Sequence, residues 1–347
     1  MNSVGVVIVN KNAGPHLAQV LESLECQTAR PHRIVVVDNA SDDRSLDGLE
    51  ERFPTVELVR SKANLGFAAA NNLAVQMCED CEFVAFLNPD AFPAPLWLET
   101  LLAAAGEHPE CGFFGSKLVL DADPGTLDGT GDAYHVSGLA WRRDQGESAT
   151  IDRAAAESFS ACAAAALYRR QAFVGVGGFD ESFFCYYEDT DLAFRMRLAG
   201  HGCLYVPGAV ARHVGSATTG LLSEFTIYHS SRNQVWTYVK NMPGPLFWLY
   251  LPQHLLVNVL TTLVYGIHGQ GGAALRGKRD ALRALPRVLQ ERRTIQAARV
   301  ATPTELRNAM ARGASGYLFS FRSRWRSMRS WRPRRPPATP PAPSCPS

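Results

Sequence analysis

The chain has 347 residues, 46% of them hydrophobic and 20% charged, a globular balance and enough length for one large or two modest domains. A formal net charge of +2 argues against wholesale nucleic-acid binding. The eight cysteines are scattered, several in apolar or helical contexts, as in reduced cytoplasmic proteins, and the opening MNSVGVVIVNKNAGP shows no secretory signal.

Through residue 120, short β-branched runs alternate with helical patterns. VGVVIV (4–9) reads as a strand, and Leu17, Val20, Leu21 and Leu24 follow at helical spacing. RIVVVD (33–38) is the next strand, and 45–53 is expected to be helical. VELVRS begins a third strand at Val56, GFAAANNLAVQM (66–77) a third helix, and FVAFL (83–87) a fourth strand. Such alternation of nearly continuous apolar strands with helices implies βαβ units around a mostly parallel sheet covered on both faces.

Residues 121–158 loosen into Asp, Gly and charged residues around WRRDQGES and read as a mobile insertion or lid. Order returns with FSACAAAALYRR (159–170). The second half of GGFDESFFCYYEDTDLAFRMRLAG is a helix closed by Gly200, and CLYVP and VARHVGS read as two short strands. Residues 221–311 form a helical region. Its GPLFWLYLPQHLLVNVLTTLVYGIHG segment approaches membrane thickness but is interrupted by Pro252, His254 and Asn258. A spanning helix is one reading; a membrane-facing or partner-covered helical hairpin is favoured. A basic amphipathic stretch follows, and 312–347 holds an Arg/Trp-rich segment and a Pro-rich end expected to be disordered. Aromatic and basic residues after an apolar segment suit an anionic cytoplasmic membrane face, with a solvated basic tail as the alternative.

Polar residues stand at the ends of successive strands: Asn10, Asp38-Asn39, Asn64-Leu65-Gly66 after the third, and Asn88-Pro89-Asp90. One would be a turn former; four in series point to a shared ligand site on one rim of the sheet. No G-x-x-x-x-G-K-S/T or post-strand G-x-G-x-x-G occurs. The Asp38 carboxylate can accept a hydrogen bond from a pyrimidine ring N–H. Asn64 and Gly66 open a helix, whose backbone N–H groups can meet anionic or ribose oxygens, and Asp90 is a suitable oxygen ligand for Mg²⁺ or Mn²⁺. Cys78 and Cys81 form a C-x-x-C with no second pair at zinc spacing, so neither metal nor redox chemistry is assigned to them.

VIVNKNAGPHLAQVLESLECQT, IVVVDNASDD, NLGFAAANN, FLNPDA and the GGFDESFFCYYEDTDLAFRMRLAG segment, taken together, resemble the inverting glycosyltransferases of family 2, which have the GT-A fold, and within them the rhamnosyltransferase-like branch. The resemblance implies a catalytic domain over 1–220. It implies donor contacts from Asn10, Asp38, Asn39, Asn64, Gly66, Asn72, Asn88 and Asp90, and a divalent cation held by Asp90 with His213. Asn88 stands where the family has the first carboxylate of its Asp-x-Asp motif, so the cation would lean more on the nucleotide's phosphates. Transfer to a hydroxyl needs a carboxylate to take its proton; by resemblance this is Asp189, with Glu188 as the fallback. Asp191 and Arg195 read as an i, i+4 helix pair. Trp141, Arg142 and Arg143 are either contacts to a diphosphate-lipid acceptor or solvated lid residues. The implied partners are a pyrimidine nucleotide-diphosphate sugar, dTDP-L-rhamnose above others, a lipid-linked glycan and the inner membrane face, with no specific nucleic acid. A sugar nucleotidyltransferase and a non-catalytic glycan- or nucleotide-binding relative are the alternatives.

Overall fold

The computed structural model describes residues 3–151, 153–215 and 223–313. The first part follows the expected alternation: β1 (Val4–Asn10), α1 (His16–Glu25), β2 (Arg33–Asp38), α2 (Leu49–Arg52), β3 (Val56–Arg60), α3 (Gly66–Gln76) and β4 (Phe83–Leu87). Every residue of β1 is buried, and α1 turns Leu17, Val20, Leu21 and Leu24 onto the sheet, one face of a 3.6-residue repeat. The helix expected over 45–53 is reduced to the single turn α2. Gly48 just before it is left-handed, and Ser45 is held by Asp43 and Asn10.

The chain continues through β5 (Ala91–Pro93), α4 (Trp97–Glu107), β6 (Cys111–Leu120), β7 (Asp123–Gly129), β8 (Asp132–Tyr134), β9 (Ala140–Arg142) and β10 (Ala156–Glu157). It then forms β11 (Ala165–Arg169), α5 (Arg170–Gly175), α6 (Glu188–Leu198) and β12 (Gly202–His213). The main sheet runs β10-β12-β6-β11-β4-β1-β2-β3, with β5 on β12 and β7 on β6. β4, β1, β2 and β3 are parallel, as are β6 and β12, while β11 runs antiparallel between β4 and β6. This is the expected mostly parallel α/β sheet flanked by helices. Strand order reverses between β1 and β4, and ligands of open α/β sheets sit beyond the carboxyl ends at such a point.

Two expectations change. CLYVP and VARHVGS belong to one strand, β12, whose register shifts between Val206 and Val210 so that Pro207 and Gly208 sit in a bulge. Residues 121–158 are built into the fold rather than appended to it. β7 pairs with β6, β10 with β12, and β8 with β9, while Tyr134 is fully buried against Phe159 and Phe194.

The C-terminal helices are α7 (Glu224–Asn241), α8 (Gly244–Ile267), α9 (Gly271–Arg283), α10 (Leu285–Ala297) and α11 (Pro303–Ala309). The apolar segment is one continuous helix running through Pro252, not a hairpin in itself; its return partner is the basic α9. Trp236 and Tyr238 of α7 share one apolar cluster with Tyr134, Phe159, Phe183 and Phe194, so these helices belong to the same body as the sheet. The Arg/Trp- and Pro-rich stretch expected within 312–347 lies outside the described residues from 314 onward.

Candidate active site

A cleft of about 530 Å³ opens at the carboxyl ends of β1 and β4. Asn39, Asn64, Gly66, Asn88, Asp90, Glu188, Asp189 and His213, expected from the sequence, all line it. Asn10, Asp38 and Asn72 do not. Asn10 and Asp38 are register partners and bond to each other at 2.9 Å just below the rim, where the other Asp38 oxygen accepts from Ser41 N–H at 3.2 Å. Asn72 corrects a sequence-based assignment. Its amide donates to the Phe179 carbonyl and Glu181 and accepts from Phe179 N–H, so it fastens the loop before α6 instead of facing a ligand.

The α3 N-terminus also differs from expectation. Gly66 N–H donates to the Asn64 side chain, and Phe67 and Ala68 N–H both point at the Phe184 carbonyl. These donors are therefore capped by the chain itself, not open to an anion. Gly66 is required for another reason: its φ is +81°, and a Cβ there would lie 2.6 Å from the Phe184 ring. Asn39 ties the two segments by accepting from Leu65 N–H and donating to the Gly66 carbonyl. Lys11, which the sequence reading passed over, supplies an amine to this wall and donates to the Ala40 carbonyl.

β4 stops at Asn88 because the chain turns: Ala91 N–H returns to the Asn88 carbonyl, and Asn88 N–H donates to Ala164. The turn projects Asp90 toward the last residue of β12. Asp90 Oδ1 lies 3.5 Å from Nε2 of His213, and Nδ1 of that ring lies 2.8 Å from Asp128 Oδ2. Asp128 also takes a 2.5 Å ion pair from Arg142, whose Nε faces Asp132 at 3.6 Å. Burial opposes a charged imidazole here, but the bonds to Asp128 and Asp90 outweigh it and raise His213 to about 9. Burial likewise opposes ionisation of Asp128; the Arg142 charge and the His213 bond prevail and hold that carboxyl far below its usual range. Arg142, left open between acceptor contact and solvated residue, is thus the counter-charge of an acidic cluster.

Asp132, Cys162 and Asp189 place side-chain ligand atoms within 4.8 Å of one another. Burial pushes Asp132 up to about 7, opposed by Arg142 and reinforced by Asp189. Burial also pushes the Cys162 thiol far up, so it stays protonated and sits 2.7 Å from the Arg142 guanidinium. A thiol is a poor ligand for a hard cation, and Arg142 already supplies the positive charge there. Cys78 and Cys81 are buried in the core, where Cys78 packs against Gly5.

Glu188 and Asp189 begin α6, and the backbone delivering them is unusual. Phe184, Tyr186 and Tyr187 all have φ between +65° and +68°, a region costing non-glycine residues about 1–3 kcal/mol each. Asn233 of α7 holds this loop by donating to the carbonyls of Phe183, Cys185 and Tyr186 at 3.0, 3.0 and 2.7 Å. Arg232 adds bonds to the Ser182 and Phe183 carbonyls. Below it, Asp191 is a buried hub pairing with Arg195 at 2.8 Å, as the spacing implied, and also with Lys240 and Asn241. Asp189 accepts from Thr190 N–H at 2.6 Å. Its carboxyl is raised by burial against the opposing Thr190 and Arg142 interactions. Glu188 is pushed well above the usual carboxyl range by burial and by the neighbouring Asp189 charge.

The sequence profile of Glycosyl transferase family 2 matches residues 5–176. The N-acetylglucosaminyl-diphospho-decaprenol L-rhamnosyltransferase of Mycobacterium tuberculosis is 32% identical over 291 residues, 73% of this chain and 92% of that protein. The chain belongs to glycosyltransferase family 2. This inverting glycosyltransferase falls in the family's rhamnosyltransferase-like branch: the O-antigen chain rhamnosyltransferase WbaN of Salmonella anatum is 26% identical over 217 residues, 61% of this chain and 66% of that one. Its fold is GT-A, shared with S. aureus TarS 1-349 (TM-score 0.55, 17% identity, 88% and 90% of the two chains). A mannosyltransferase from Pyrobaculum calidifontis, solved with GDP-Man and Mn²⁺, also has it (TM-score 0.52, 18% identity, 88% and 85%). Membership of the glycosyltransferase family sets aside the nucleotidyltransferase alternative.

Proposed function

We propose that this glycosyltransferase moves L-rhamnose from dTDP-L-rhamnose to a hydroxyl of a lipid-linked cell-wall or surface glycan at the cytoplasmic face of the membrane. The names of its relatives support the sugar and the lipid-linked acceptor. The observation that carries the chemistry is the convergence of Asp189 and the Asp90–His213 pair on one cleft.

Asp189 is the base. Burial makes its carboxylate basic for its type, and it takes the proton of the acceptor hydroxyl as that oxygen attacks the anomeric carbon opposite the leaving diphosphate. Glu188 shapes the pocket floor in its neutral form. The residues present fit a divalent cation, Mg²⁺ or Mn²⁺. The 3.5 Å between Asp90 Oδ1 and His213 Nε2 is near the roughly 3 Å separating adjacent ligands around an octahedral ion with bonds of about 2.1 Å, and Asp128 orients the ring from behind. When bound, such an ion offsets negative charge on the departing diphosphate. With one carboxylate and the neutral Asn88 in place of a second, the chain supplies few charges of its own, so a bound ion would depend on the donor's phosphates as well as on Asp90 and His213.

The nucleoside lies along Lys11, Asn39 and Asn64. Asp38 lies below the rim with both oxygens already accepting bonds, so its expected contact with a pyrimidine N–H is not proposed. The test is incubation of the full chain with Mn²⁺ or Mg²⁺, a panel of sugar nucleotides and a polyprenyl-diphosphate glycan. Acceptor-dependent dTDP release from dTDP-rhamnose is the expected result. Turnover with another donor only would overturn the sugar assignment, and donor binding without turnover would leave the non-catalytic reading.

A further inference from the structure

The α8 helix has two faces that lie on opposite sides along its whole length. Leu246, Tyr250, His254, Val257 and Thr261 are buried against the protein. Trp248, Leu255, Leu256, Val259, Leu263 and Ile267 are exposed, from 57% to 83% of their surfaces, and form one continuous stripe at helical spacing. A stripe of this extent exceeds the scattered apolar residues normal on a soluble surface. We infer that α8 lies flat in the interfacial layer of an anionic bilayer, its outer stripe among the acyl chains, and does not cross the membrane. The inference rests on the membrane-side reading of the function given above, and not on which sugar is moved.

Two observations choose this occupant and this orientation. The buried face is attached to polar and charged groups throughout: His254 bonds the Ser137 carbonyl at 2.8 Å, Tyr250 accepts from Arg307, Lys278 bonds Asn258, and Arg292 covers Phe247. Were α8, about 36 Å long at 1.5 Å per residue, to span, these groups and part of the catalytic body would enter hydrocarbon, where charged side chains and irregular backbone are strongly disfavoured. Lying flat immerses only the apolar stripe. Charge then selects an anionic surface over a second protein copy. Residues 271–290, on α9 and the start of α10, carry Arg276, Arg279, Arg283 and Arg287, with Lys278 turned inward to Asn258; Asp280 is the one acid in this stretch, while Glu224 and Glu291 pair with Arg276 and Arg287. Exposed Leu275 and Leu282 lie among them, so basic and apolar groups alternate beside the α8 stripe. Such a mixture matches phosphate headgroups over acyl chains and would repel its own copy.

The experiment is vesicle flotation of the full chain with phosphatidylcholine alone and with added phosphatidylglycerol, paired with quenching of Trp248 by lipids brominated at different depths. Binding to the anionic vesicles that weakens with salt is expected, with shallow quenching lost in Trp248→Phe. Leu256→Asp with Val259→Asp should reduce binding at least tenfold, and Arg276→Glu with Arg279→Glu should reduce it most at low salt. Leu255→Gln with Leu263→Gln repeats the test without charge should the Asp pair fail to fold. Each variant should keep the parent's turnover of donor with a lipid-free acceptor analogue. Quenching at the bilayer centre, or resistance of the membrane-bound protein to alkaline carbonate, would overturn the inference in favour of a spanning helix. Unchanged vesicle binding in both stripe variants, or a change only in their oligomeric state, would overturn it in favour of a protein partner. Absence of turnover in the parent with vesicle binding intact would instead count against the proposed function.

Discussion

Asp128 grips His213 from inside the protein, at 2.8 Å on Nδ1, while Nε2 of the same ring faces Asp90 at the cleft. Without a cation the ring titrates near 9 in the fold against an ordinary 6.5. The raised value means that the protonated ring stabilises the native state fully below 6.5, and that this contribution disappears as pH climbs through 9. Melting temperature measured in chelator should fall over that interval, and Asp128→Asn should flatten the decline. Because an incoming ion must displace the proton, cation affinity should rise with pH across the same range. Isothermal titration should show Asp128→Asn binding Mn²⁺ about 10–100-fold more weakly.

The two acids at the start of α6 should respond oppositely to amide substitution. Glu188 is held neutral by burial beside Asp189, so Glu188→Gln keeps the form already present and should retain turnover within about threefold. Asp189→Asn removes the proposed base; general-base contributions of about 10²–10⁴ set the expected loss in kcat, with donor affinity nearly unchanged. Equal losses in the two variants would contradict the assignment.

Asp132 and Asp189 titrate as a neighbouring pair, so the acid limb of the kcat profile belongs to both. Turnover should rise with pH as Asp189, raised by burial, gives up its proton beside Asp132, which is itself pushed up to about 7. In Asp132→Asn the negative neighbour is gone and Arg142 acts on Asp189 alone, which lowers the pKa of the base. The limb should therefore move to lower pH. A limb that stays in place would separate Asp132 from the titration.

Asn233 does not itself line the cleft but bonds three carbonyls of the left-handed loop, two of them on the lining residues Cys185 and Tyr186. Asn233→Leu removes the Asn233 donor from the Cys185 and Tyr186 carbonyls, a cost of about 1–3 kcal/mol for each buried group that loses its partner, while the Phe183 carbonyl keeps its bond from Arg232. The melting temperature should drop, and kcat should fall tenfold or more while donor KM changes less, because Lys11, Asn39 and Asn64 are not bonded to Asn233. A purely structural role would lower stability alone.

Sequence alone reached far where burial dictates residue type. The fully buried β1 and the spaced leucines of α1 imply a sheet covered by helices, and polar residues at successive strand ends mark the rim where the cleft lies. The insertion hid its role because Asp128 and Arg142 are charged, and charge in a loosely patterned stretch reads as solvent exposure. Their meaning depends on His213, 85 positions from Asp128, a distance no local pattern encodes. Asn72 failed for the converse reason: an asparagine on a helix looks the same whether its amide meets a ligand or the chain's own Phe179. The α3 N-terminus promised open N–H groups, and only the folded path of Phe184 shows them occupied.

The clamp from α7 onto the loop before α6 makes the two parts of the molecule inseparable in practice. A fragment ended after residue 220 would retain Asp90, His213 and Asp189 yet lack Arg232, Asn233 and Lys240, and should be inert although its chemical groups are complete. Exchanging C-terminal regions between relatives should fail for the same reason unless the loop travels with the helix that holds it. On the proposed reading, membrane attachment and proton abstraction would be mounted on one packed body, so the height of the reacting site above a bilayer would be set by the packing of α7 on the α6 loop rather than by a hinge.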